Sequence, residues 1–161
     1  MSHFRTTNRV CARRIWRVGA LGLASMAGLG TLSASEWRPN LDNRAAKLEA
    51  FFRTHSCPAP YHIDDYIRAA DVNGIDYRIL PAVSVRESTC GLHARLNNRW
   101  GWDSARTGFQ SVAHGIHYIA HELAFGRYYR GKTLEQKLHA YNPNPKYVGE
   151  VKRLMFEIDA D

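Results

Sequence analysis

The residue around which chemistry can be built is Glu87. It falls in the stretch Ile79 to Trp102, where Leu80, Val83 and Glu87 lie three and four residues apart, so on a helix the carboxylate projects from an otherwise apolar face. Burial on such a face raises a carboxyl pKa, and an acid kept protonated near neutral pH can give its proton to a leaving oxygen, which an exposed, ionised Glu does poorly. Cys90-Gly91 follows at once, and a left-handed glycine there ends the helix, leaving Glu87 in the last turn at the mouth of a groove. Beyond it, Asn97-Asn98-Arg99-Trp100-Gly101-Trp102 joins amides to two indoles, a mixture suited to bonding sugar hydroxyls and stacking on sugar faces. The plainer readings are a solvated Glu at a helix end and two tryptophans that serve as core pegs.

Two other groups could do chemistry. His114, His117 and His121 are spaced three and four apart and could share a helix face as metal ligands, but the Glu placement of a metalloprotease and an evident outside ligand are both missing. Polar-face histidines explain them more simply, and no metal or cofactor is expected. Of the three cysteines, Cys11 lies in an N-terminal leader, leaving Cys57 and Cys90 to pair in an oxidising compartment. Two buried free thiols are the alternative. A nucleophilic cysteine would need a thiolate and a partner base.

The elements that position these residues begin after the leader. Residues 1–35 carry five arginines and no acidic residue, then an apolar Gly/Ala/Leu-rich run from Val18 to Leu32, and so read as a secretory signal peptide. An uncleaved anchor and a twin-arginine route are alternatives. The leader holds five of the 22 basic residues and none of the 15 acidic ones, so the formal charge falls from +7 to +2 on its removal. Most of the basicity is therefore leader, and no nucleic-acid footprint remains. Residues 36–161 read as one all-α domain of about six helices. Leu41 to Thr54 places Ala45, Leu48, Phe51 and Phe52 on one face behind Asp42 or Asn43 as N-cap. Ile63 to Asn73 ends at Gly74, and Asp76 can cap the helix of Glu87, which Pro81 forces either to start late or to kink. Ser111 to Phe125 turns Val112, Ile116, Ile119, Ala120 and Leu123 inward and closes at Gly126. Thr133 and Gln136 form a capping-box pair ahead of Leu134, Leu138 and Tyr141, and Asn144-Pro145 fits N-cap and N1 of a last helix with Val148, Val151, Leu154, Met155 and Ile158 inward.

Leu80-Pro81-Ala82-Val83, then Arg86-Glu87-Ser88-Thr89-Cys90-Gly91, the Asn97 to Trp102 loop, and Ala140-Tyr141-Asn142 occur in this order. Together they resemble the lysozyme-like superfamily, specifically soluble lytic transglycosylase and bacterial glucosaminidase domains, over roughly residues 45 to 158. The Gly-Leu-Met-Gln element of the main transglycosylase branch is missing, which leaves the branch open. The resemblance implies a lysozyme-like lobe packed around the catalytic helix, with Glu87 as general acid. Ser88, Asn98, Trp100, Trp102, Tyr141 and Asn142 then belong to the substrate-binding groove, with Tyr118 and Glu122 as weaker candidates for it. The implied partner is the glycan strand of peptidoglycan, met in the periplasm or at the cell wall by an exported protein with no membrane span after signal cleavage. Hydrolysis with two carboxylates needs a second Asp or Glu about 5–10 Å from the acid, and only Asp103 and Glu122 offer themselves. With neither in a recognisable motif, the single-acid route to an anhydromuramyl end is favoured. A hydrolytic glucosaminidase or lysozyme, and a non-catalytic peptidoglycan-binding module, are the competing expectations.

Overall fold

A computed structural model describes residues 43–160; the leader and Asp42 as an N-cap lie outside them. Among the described residues there are six α-helices and no strand: α1 Arg44–Thr54, α2 Ile63–Asn73, α3 Ile79–Ser88, α4 Val112–Phe125, α5 Leu134–Tyr141 and α6 Tyr147–Ile158, with a 3-10 turn at Trp102–Ala105. None of these helices is long and apolar enough to cross a membrane. The all-α expectation holds.

The helix carrying Glu87 starts at Ile79, so Pro81 falls in its first turn, where the missing N–H is one that no intrahelical carbonyl would have met. Asp76 shapes the approach instead of capping the helix, its Oδ1 accepting from Arg78 N at 3.0 Å. Ile79, Leu80, Pro81, Ala82, Val83 and Ser84 are all buried, which makes the first two turns of α3 core on every side. The helix does not end on glycine as expected. Thr89 takes the left-handed cap position (φ 51°), followed by Cys90 at φ 58° and Gly91 at φ 103°. Three successive positive φ values turn the chain sharply away from the helix axis, and Cys90 is tied back to Cys57 across a Cα–Cα distance of 5.4 Å, within the span of a disulfide.

The other helices pack as their apolar stripes direct. α2 lies on α4, α3 on α6, and α1 contacts both α2 and α6, while α5 lies on α6. Leu48, Phe51 and Phe52 of α1, Ile116, Ile119 and Leu123 of α4, and Val151, Leu154, Met155 and Ile158 of α6 meet in one core. Ser111 caps α4 by accepting from His114 N, and the Thr133–Gln136 capping box is formed in both directions. The last helix begins at Tyr147, later than Asn144-Pro145 suggests. Asn144 nevertheless makes the bonds expected of a cap, its Oδ1 accepting from Lys146 N and its carbonyl from Tyr147 N, both at 3.0 Å, so the first turn is tightened ahead of the regular helix.

Candidate functional site

Ser88, one residue past Glu87, fastens the end of α3 to the aromatic loop: its Oγ donates to the Arg99 carbonyl at 2.6 Å and accepts from Gly91 N at 2.8 Å. Asn98 is 3 % exposed. Its Nδ2 donates to the carbonyls of Trp102 (2.9 Å) and Thr107 (2.8 Å), and its Oδ1 accepts from Trp102 N (2.9 Å). Every polar group on that amide is spent inside the loop. Trp100 is fully buried, edge-on to Tyr66 and Phe109, with Nε1 donating to the Leu80 carbonyl at 3.1 Å. In these positions Ser88, Asn98 and Trp100 brace the loop, their hydrogen-bonding groups and the Trp100 ring being engaged within the protein. Their joint effect is to hold the next stretch, Gly101-Trp102, opposite Glu87.

A cleft of about 640 Å³ opens there, lined by Glu87, Trp102, Asp103, Tyr118, Glu122, Tyr128, Tyr129, Tyr141 and Asn142 among others. The structure therefore brings Glu87 together with Trp102, Tyr118, Tyr141 and Asn142, residues up to 55 positions apart in the chain. Glu87 is half-buried, at the mouth rather than enclosed. Gly101 has φ +62° and faces it so closely that a Cβ would stand 3.1 Å from Glu87 Oε2, so both backbone conformation and space call for glycine. Trp102 sits at the junction of Tyr118, Tyr129 and Tyr141, with ring centroids 6.1, 5.8 and 5.7 Å away. Tyr141 lines the cleft with its ring, while its hydroxyl donates to the Trp100 carbonyl at 2.6 Å and is not available to orient Glu87. Asn142 caps α5 and accepts from Asn144 N at 3.0 Å.

Tyr147, the first residue of α6, was not among the sequence candidates and bears directly on Glu87. Its ring stacks on Tyr141 (6.1 Å, 6° between planes) under the Arg86 guanidinium at 5.8 Å. Its hydroxyl is buried and has no hydrogen-bond partner. Burial first, then the negative charge of Glu87 and its approach as an acceptor, push the phenol well above its ordinary pKa, so the carboxylate lies close to the hydroxyl although no settled hydrogen bond joins them. One signal was legible: Tyr147 leads the inward stripe of Val151, Leu154 and Ile158 at helical spacing.

The two other carboxylates of the cleft differ. Asp103 is held below the usual carboxylate range by hydrogen bonds from Arg106 and Thr107. Glu122 touches no basic side chain; with Glu87 and Asp64 it is one of only three acidic residues, among those described, without such a contact. The histidines diverge. His114 packs on Phe109 and Tyr118, His117 meets Asp65 at 3.3 Å, and His121 packs on Phe125. Among the described residues no group of three or more His, Cys, Asp and Glu side chains converges as metal ligands.

Comparison with protein-family models, with characterised proteins and with solved structures returned no match for the chain.

Proposed function

We propose that this protein is an exported, lysozyme-like enzyme that cleaves the glycan strands of peptidoglycan, with Glu87 as the single acid and base. The observation that carries the reading is the placement of Glu87, free of any ion pair, in a cleft whose walls are aromatic and whose lining contains no Lys, Arg or His. A carboxyl so placed meets a substrate oxygen without a neighbouring cation competing for it, and sugar rings laid along Trp102 and Tyr118 would displace water from it. Disulfide-distance cysteines and the lack of a spanning helix among the described residues fit export.

In the proposed reaction Glu87 protonates the glycosidic oxygen as the bond to the muramyl C1 breaks. The resulting carboxylate then takes the proton of the muramyl 6-hydroxyl as that oxygen closes on C1, giving a 1,6-anhydro ring and returning Glu87 to its starting state. The Tyr147 hydroxyl, with no partner of its own, swings to donate to the carboxylate in the charged interval. Glu122 supports a second reading, hydrolysis with that residue as the second carboxylate, because it lines the same cleft unpaired. Digestion of purified sacculi with mass analysis of the fragments tests both: anhydromuramyl ends support the single-acid route, whereas reducing ends alone, with activity lost in Glu122→Gln, would replace it by hydrolysis.

A further inference from the structure

The surroundings of Glu122 suit a particular substituent on the strand. Tyr118 and Glu122 are four residues apart on α4 and project to one side, where both line the cleft. Trp102 meets Tyr118 edge-on (84°) and lies inclined at 34° to Tyr129. Tyr129 has its phenol pKa raised by burial and then by the charge of Glu122, which sets that carboxylate beside the same rings. Gly126 at the end of α4 has an ordinary backbone conformation (φ −58°), so its lack of a side chain answers a need for space. A Cβ there would stand 2.4 Å from Glu122 Oε2 and 2.5 Å from the Glu122 carbonyl oxygen. The glycine lets the carboxylate fold over the helix end.

A carboxylate without an ion pair, grouped with three aromatic rings in a cleft that no cationic side chain lines, has the chemistry that binds an organic ammonium: charge-assisted hydrogen bonds to the oxygens and cation–π attraction to the rings. An N-acetylated amino sugar presents a neutral amide and gains neither. We propose that Glu122, Trp102, Tyr118 and Tyr129 form a subsite for a protonated primary amine carried by the substrate, namely the nitrogen of a glucosaminyl unit that lacks its acetyl group. This rests on the glycan-cleavage reading and narrows its substrate to partly de-N-acetylated strands. A free amine on a stem peptide shares the chemistry, and the test separates the two.

Titration calorimetry on the full chain carrying Glu87→Gln, which prevents turnover, would compare a glucosamine tetramer, its fully N-acetylated counterpart and a lysine-containing tripeptide. The glucosamine tetramer should bind at least about tenfold more tightly than the acetylated one, since each tenfold step needs only ~1.4 kcal/mol. That preference should shrink in added salt, disappear in Glu122→Gln and reverse in Glu122→Lys. Equal or tighter binding of the acetylated tetramer, unchanged by Glu122→Gln, overturns the amine subsite and leaves glycan cleavage standing. Binding of the tripeptide with no distinction between tetramers assigns the amine to the peptide and overturns the sugar assignment. If neither tetramer binds, the glycan reading and the subsite fall together.

Discussion

Replacing Tyr147 by Phe should make the protein more stable and less active. The hydroxyl is buried and lacks a partner, and leaving a buried hydroxyl unsatisfied costs about 1–3 kcal/mol. Phe keeps the ring, and with it the stacking on Tyr141 and the contact under Arg86, so most of the desolvation cost is recovered with no cavity opened. At roughly 2.1 cal/mol/K of unfolding entropy per residue, a domain of this size gains about 4 °C in Tm for each kcal/mol. A rise of about 4–12 °C is expected by calorimetry. Activity should move the other way, because the same hydroxyl is the donor nearest in role to the Glu87 carboxylate; a hydrogen bond to a charged group is worth about 1.5–3 kcal/mol, roughly 10- to 100-fold in rate. Release of soluble fragments from sacculi measures it. A Tyr147→Phe protein with unchanged or lowered Tm would refute the claim that the hydroxyl is an unsatisfied burden in the free protein. Full activity would refute its service to Glu87.

Glu87→Gln, an isosteric change, should leave the fold intact and lower sacculus digestion by at least about 100-fold; a fully active variant would remove Glu87 from the acid role. Breaking the Cys57–Cys90 link by reduction or Cys57→Ser should cost about 3–4 kcal/mol for a loop closed across 33 residues, seen as a lower denaturant midpoint, and identical midpoints for oxidised and reduced protein would speak for free thiols. Gly115→Ala places a Cβ 2.6 Å from Trp100 Cζ3 and 2.9 Å from Phe109 Cδ2. Overpacking of about 1–3 kcal/mol should outweigh the gain of about 1 kcal/mol in helix propensity, so a variant more stable than the parent would contradict the tight seating of Trp100. Asp159 joins the end of α6 to Lys47, Tyr77 and Arg78; burial alone would raise its pKa, but hydrogen bonds from Lys47 and Tyr77 and the charge of Arg78 leave it lowered. A depressed folded-state pKa adds stability above the unfolded value near ~3.9 that is lost as pH falls through the folded one. Stability should therefore drop below about pH 4, and less steeply in Asp159→Asn; parallel acid profiles for the two proteins would exclude Asp159 as a source.

Much of the architecture was legible because it depends on periodicity and local caps. The apolar stripes of α1, α4 and α6, the Gly74 cap and the Thr133–Gln136 box are set by residues within a turn or two of each other, and short-range spacing carries that information. The position of Glu87 in a last helical turn was legible for the same reason. What the sequence could not apportion was which polar and aromatic residues face the substrate. Asn98 and Trp102 stand four apart in one loop, yet the first is consumed as a staple and the second lines the cleft; the difference lies in where Thr107, Tyr118, Tyr129 and Tyr141 arrive from distant segments. Trp100 has the composition of a sugar platform and became core because Gly115 on α4 leaves a slot for its ring. Tyr147 had the spacing of an ordinary core residue, and only the packing of α6 on α3 set its hydroxyl near Glu87 without a partner. Local sequence thus determined helices, caps and the turn that presents the acid, since these are settled by neighbours along the chain. Tertiary structure decided the lining of the cleft, since burial and hydrogen-bond satisfaction depend on neighbours in space.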